Sequence, residues 1–192
     1  MHGQVPSRTA GVLLAAGHGR RFGAGNKLLA DWRGAPVVVH AADALRRAVT
    51  DGQLVAVVRD RRVAALLPDF RIVTADGTET MSDSLRLGLA AVRADRALIV
   101  LGDMPDVPPA HLAALLRACG PGRAAASAHP APDGSRPGVP ACLPRAMFAA
   151  AARVRGDRGA RNLLAGAALV PLPSGAGHDI DRPGDLSHAD GH

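Results

Sequence analysis

The chain has no tyrosine, one tryptophan, three phenylalanines, two cysteines, one lysine and one glutamate in 192 residues. Each scarcity excludes something. With 2% aromatics there is little to stack on bases, and the arginines fall in ones and twos rather than in a basic run. The formal charge of +6 therefore suits small anionic ligands better than nucleic acid. Cys119 and Cys142 lie far apart with no CxxC, which argues against a metal knuckle or a disulfide framework and for reduced, cytoplasmic thiols. No stretch approaches the roughly 18 apolar residues of a membrane span. The run GVLLAA (11–16) is too short for a signal-peptide core and meets the charged GHGRRFG at once. The expectation is a soluble protein with neither membrane nor nucleic acid as partner.

What is present is 47% hydrophobic content, enough for the core of one domain over 1–192, built from Ala, Val and Leu. Strand-like runs at 10–16, 53–58, 70–75 and 96–101 alternate with helical spacing at 36–49, 60–67, 81–92 and 109–119. That alternation predicts parallel βαβ units in a three-layer α/β/α sandwich with a mostly parallel, Rossmann-like sheet. Ser82 or Asp83 is expected to cap the helix at 81–92. The second half is less regular. A strand at 123–128 precedes a Pro/Gly-rich excursion at 129–140; helices at 145–154 and 157–166 and a strand at 168–172 follow, and 187–192 are expected to fray.

The first strand runs into GHGRRFGAGNK. Gly17, Gly19, Gly23 and Gly25 allow backbone N–H groups to face an anion, and Arg20, Arg21 and Lys27 add charge suited to a polyphosphate. The spacing fits neither GxGxxG nor GxxxxGK[ST]. Lys27 stands out because every other cationic position among the 23 Lys and Arg residues is arginine. A compact ammonium approaching one phosphate oxygen would explain the exception. His18 reads as a loop residue.

Asp103 follows the strand RALIVL, at the sheet edge where open α/β folds bind ligands. Gly102 is expected to allow a tight turn, and Asp106 to serve the next helix start. In HDIDRPGDL an extended backbone puts Asp179 and Asp181 on one face and Ile180 in the core. One of the pair then shares a cation with Asp103, as suits Mg²⁺ completed by substrate phosphate oxygens. The rival reading makes Asp181 a helix cap and Asp185 a solvated residue. Ser82 and Ser84 have hydroxyls for ribose or base, or serve only as caps. Arg155, Arg158 and Arg161 recur every third residue and share a face if helical. No nucleophilic triad is evident.

The stretch LLAAGHGRRFGAGNKLL resembles the signature of the molybdenum cofactor nucleotidyltransferases, LAAGxGxRxG…KLL. PVVVHAADAL, TMSDSLRLGL, LIVLGDMP, RGDRGAR and DIDRPGDL resemble later motifs of the same family, in order, over about 11–186. Thr80 stands where the family commonly has glycine. The resemblance implies transfer of a nucleoside monophosphate to a phosphorylated acceptor with release of pyrophosphate. It implies nucleotide contacts at Ala15, Ala16, Gly17, Gly19, Arg21, Lys27, Ser82 and Ser84, with Arg21, Lys27 and Asp103 catalytic. It favours Asp181 over Asp179 as metal ligand beside Asp103, with Mg²⁺ or Mn²⁺ as the metal. The N-terminal half would bind nucleotide and the C-terminal half, through Arg155, Arg158 and Arg161, the molybdopterin acceptor. LAAG and NKLL resemble the cytidylyl branch, so CTP is the expected nucleotide. Guanylyl transfer, another phosphorylated acceptor, or a non-catalytic nucleotide-binding chaperone of a recipient molybdoenzyme are the alternatives.

Overall fold

The computed structural model describes residues 8–17, 22, 25–77, 80–132, 134–154 and 162–190. Its central element is β1 (Thr9–Ala15), in which Val12 and Leu13 are fully buried. A strand covered on both faces needs neighbours on both edges. β4 (Gln53–Val58) and β6 (Arg96–Leu101) supply them in parallel, and β5 (Arg71–Thr74) extends the sheet beyond β4. Adding β7 (Ala125–Ala131), β8 (Gly134–Pro144) and β9 (Ala168–Pro171) gives seven strands in the order β5-β4-β1-β6-β8-β7-β9. The short pair β2 (Asp31–Trp32) and β3 (Ala35–Pro36) stands apart.

Helices α1 (Val37–Ala48) and α3 (Met81–Ala90) cover opposite faces, as two neighbouring residues of β1 demonstrate. A Cβ on Gly11 would lie 2.9 Å from Leu45 of α1, whereas one on Gly88 of α3 would lie 2.7 Å from Val12. Consecutive strand residues point to opposite sides, so the sheet is a middle layer. α2 (Arg61–Ala65) follows β4, and α4 (Pro109–Ala118) packs against α1 and the second half of the sheet. The three-layer, mostly parallel expectation is borne out.

The excursion expected at 129–140 is instead a hairpin. β7 and β8 pair antiparallel from Ala125↔Cys142 to Ala131↔Gly134, and the register shifts between Ala126 and Ser127. The prolines hide this pairing from any reading of period or propensity. β8 also pairs antiparallel with β6, and β9 runs parallel to β7. The helix expected at 145–154 shrinks to a 3₁₀ turn, Arg145–Met147, and α5 (Phe148–Ala151). Pro183–Asp190 forms a 3₁₀ segment where fraying was expected from 187.

The chain leaves β1, goes out to β4 and β5 on one side, and returns to β6 on the other. Connections therefore part at the carboxyl end of β1, which opens a crevice between the loops after β1, β4 and β6. Gly17, Arg59 and Asp103 sit at those three ends.

Candidate active site

Lys27 is held in place by a short relay. Asn26 opens the 3₁₀ turn Lys27–Leu29, its Oδ1 accepting from the Leu28 amide at 3.0 Å. Its amide nitrogen in turn donates to Asp60, just past β4, at 3.0 Å. The Arg62 guanidinium and the Asn26 amide keep the Asp60 carboxyl far below the usual carboxylate range. The turn thus clamps to the next strand and delivers a lysine whose side chain is only 8% exposed.

That buried ammonium meets two carboxylates. Lys27 Nζ lies 2.6 Å from Asp103 Oδ2 and 2.9 Å from Asp181 Oδ1. Burial by itself would lower the Lys27 pKa; Asp103 and then Asp181 outweigh it and hold the pKa above the ordinary lysine value. Asp103 and the late segment are joined through the backbone, since the Ile180 amide donates to the Asp103 carbonyl at 3.0 Å. Ile180 is fully buried with Trp32 and Val37, which turns Asp179 and Asp181 the other way. Asp179 is exposed, yet its carboxyl is raised to about 6. The loss of water around it comes first, then the negative charges of Asp103 and Asp181.

Three expectations need correction. Asp185 is engaged rather than merely solvated, since the amides of Asp181 and Arg182 donate to it at 2.8 and 2.7 Å. Asp106 does not serve α4, which starts behind Pro108 without a side-chain cap; it accepts from the Trp32 indole and Arg33. The cap of α3 is Thr80, accepting from the Asp83 amide at 3.2 Å, rather than Ser82 or Asp83. The tight turn expected at Gly102 is present, the Met104 amide donating to the Leu101 carbonyl at 3.4 Å, and a Cβ on Gly102 would lie 3.1 Å from Ala15.

Above the lysine lies a cleft of about 140 Å³. Ala15, Ala16, Gly17, Lys27, Ser84 and Asp103 all line it, so the structure brings these sequence candidates together. Ser82 does not join them. Residues i and i+2 of a helix point apart, and Ser82 borders a neighbouring apolar hollow with Leu85 and Ile99. Arg59 and Met81, which the motifs do not assign to the site, also line the cleft, as does Thr80, noted in the sequence only as a departure from the family's glycine. Arg59 Nε donates to the Ala16 carbonyl at 3.3 Å; its sequence signal was an arginine at the carboxyl end of a parallel strand. Gly19 and Arg21, with His18, Arg20 and Gly23, lie outside the described residues, as do Arg155, Arg158 and Arg161.

Would a divalent cation fit? Asp103 Oδ1 is buried and has no hydrogen-bond partner among the described residues. A buried carboxylate oxygen left unpaired is costly and is what a hard cation would satisfy. Among the described residues no three His, Cys, Asp or Glu side chains cluster as a metal site. A carboxylate pair completed by substrate oxygens remains the matching donor set. Among the same residues no helix is long and apolar enough to cross a membrane.

The chain is similar to known proteins in sequence and in fold. The family profile described as MobA-like NTP transferase domain matches residues 11–172. A molybdenum cofactor guanylyltransferase of Pseudomonas aeruginosa is 34% identical over 57% of this chain and 55% of its own length. The chain thus spans about half the length of the curated guanylyltransferases it matches. A nicotine blue oxidoreductase of Paenarthrobacter nicotinovorans is 33% identical over 80% of both chains. Among solved structures, Rv0371c of Mycobacterium tuberculosis H37Rv superposes with a TM-score of 0.81 at 28% identity, covering 96% of this chain and 97% of its own. The same protein has been crystallised as a manganese complex, which matches with a TM-score of 0.76 at 26% identity.

Proposed function

The chain belongs to the MobA-like NTP transferase family, and we propose that it is a metal-dependent nucleotidyltransferase joining CMP from CTP to molybdopterin. The observation that carries this reading is that Lys27 and Asp103, which line a cleft at the switch point of the sheet, are paired, with Asp181 as the second carboxylate on Lys27. In the reaction a terminal phosphate oxygen of the acceptor attacks the α-phosphorus of CTP. The bond from that phosphorus to the α–β bridging oxygen breaks, and pyrophosphate leaves with the electron pair. The attacking phosphate is already largely ionised at pH 7, having a second pKa of about 6, so no protein base is required.

The protein's work is to align two anions and offset their charge. Asp103 and Asp181 would hold Mg²⁺ or Mn²⁺, and the relative crystallised with manganese supports a divalent metal. When bound, the metal supplies positive charge at the phosphoryl oxygens. Lys27, Arg21 and the Gly17–Gly19 amides neutralise the triphosphate and the leaving pyrophosphate. Ala15 and Ala16 form the floor under the nucleotide, with Ser84 at its side. Arg155, Arg158 and Arg161 keep the acceptor role in the C-terminal half. Cys119 and Cys142 are free thiols, which suits a cytoplasmic enzyme.

Cytidylyl transfer rests on the Ala15-Ala16-Gly17 and Asn26-Lys27-Leu28-Leu29 likeness. The curated relatives named guanylyltransferase favour GTP as the second reading. The relative named as an oxidoreductase makes a reaction-level test worth running first. Purified protein with Mg²⁺ and molybdopterin is expected to release pyrophosphate with CTP at least tenfold faster than with GTP. The reverse order keeps the mechanism and assigns GTP; release with neither nucleotide overturns the reading.

A further inference from the structure

Lys27 carries an apparent contradiction. The proposed reaction needs its ammonium at the triphosphate and a divalent cation at Asp103 and Asp181, yet the ammonium occupies those two carboxylates itself. It bonds Asp103 Oδ2 and Asp181 Oδ1, leaving Asp103 Oδ1 without a partner among the described residues. A cation entering at these carboxylates would meet a buried like charge within bonding distance of both. The ammonium and the metal compete for the pair.

We infer that Lys27 is the resident counter-cation of the Asp103–Asp181 pair and cedes it to the metal only when a triphosphate offers the ammonium new anionic oxygens. The inference rests on the nucleotidyltransferase reading of the same cleft. The exchange needs little motion of the backbone. Asn26 and Asp60 clamp the turn that carries Lys27, while the side chain lines the cleft, so rotation of its stem moves the ammonium from carboxylate to phosphate. Two consequences follow. Nucleotide-free protein binds metal weakly, although it has two acidic ligands. Metal and nucleotide also strengthen each other's binding by one common factor, as linkage requires.

The test is Mn²⁺ affinity of the nucleotide-free full chain, read from the free-Mn²⁺ electron paramagnetic resonance signal, for wild type and Lys27→Met. Removing the competing ammonium is expected to tighten Mn²⁺ binding at least tenfold. Equal or weaker binding by a folded variant overturns the inference. Should that variant not fold, the wild type still decides the matter, because Lys27 is the only lysine in the chain. Lysine-selective ¹⁵N labelling of untagged protein then gives one side-chain ammonium resonance. Millimolar Mg²⁺ alone is expected to leave it in place, and Mg²⁺ with a methylene-bridged CTP analogue to shift it. A full shift with Mg²⁺ alone, or none with both, contradicts the exchange. Neither readout depends on turnover, so an absence of pyrophosphate release would sink the proposed reaction without touching this result.

Discussion

Asp103→Asn is expected to lower pyrophosphate release about a thousandfold or more while leaving the protein folded. The substitution keeps the shape of the side chain and removes its charge. The backbone carbonyl of residue 103 still accepts from the Ile180 amide, so the late segment stays docked, and Lys27 retains Asp181 as a partner. What is lost is the carboxylate charge, with one oxygen paired to Lys27 and the other buried without a partner among the described residues. Loss of a group that positions charge at a reacting phosphoryl centre costs a few kcal/mol of barrier, typically 10²–10³ or more in rate. Steady-state pyrophosphate release checks the rate, and thermal melting checks the fold. Activity within tenfold of wild type would remove Asp103 from the mechanism.

Gly88→Leu carries the largest expected effect on stability. Even a Cβ at this point of α3 would lie 2.7 Å from Val12 and 3.2 Å from Val57, both fully buried in adjacent strands. Helix and sheet must separate to accept a larger side chain. Overpacking of this kind costs about 1–3 kcal/mol, and the upper end applies where two buried strands face the addition. For a chain of this size about 3 kcal/mol lowers Tm by roughly 6–12 °C. The same separation moves the first turn of α3, which brings Thr80, Met81 and Ser84 to the cleft, so KM for the nucleotide is expected to rise. Melting curves and nucleotide titration of the one variant check both effects. An unchanged Tm would mean that α3 does not pack on the sheet through Gly88.

The parallel half of the fold is legible because β1, β4 and β6 are short apolar runs, buried on both faces and separated by helical spacing. The antiparallel half is not. β7 and β8 contain Pro130, Pro137, Pro140 and Pro144, along with Gly134 and Gly138, residues that favour loops in any local reading. Only the register across the sheet, with its shift at Ala126/Ser127, makes strands of them. In the candidate site, Lys27, Asp103 and Asp181 stand out by residue type and position, which motif and strand-end reasoning can find. Their mutual contact is invisible to such reasoning, since Lys27 and Asp181 are 154 positions apart and are brought together by the docking of the late segment through Ile180. Arg59 escapes notice because it sits one residue beyond the apolar run of β4. Ser82 is drawn in with Ser84 because spacing alone does not say which of two residues on one helix turns to the cleft.

The central claim is that this cleft moves the α-phosphoryl group of a nucleotide to a phosphate acceptor. It is tested most directly by following the label from [α-³²P]CTP in the presence of Mg²⁺ and molybdopterin. The account predicts that the label enters a molybdopterin dinucleotide in step with unlabelled pyrophosphate, one for one, and that Asp103→Asn abolishes both. Label remaining in CTP while the protein binds it, or leaving as free CMP with no labelled dinucleotide, would contradict the account.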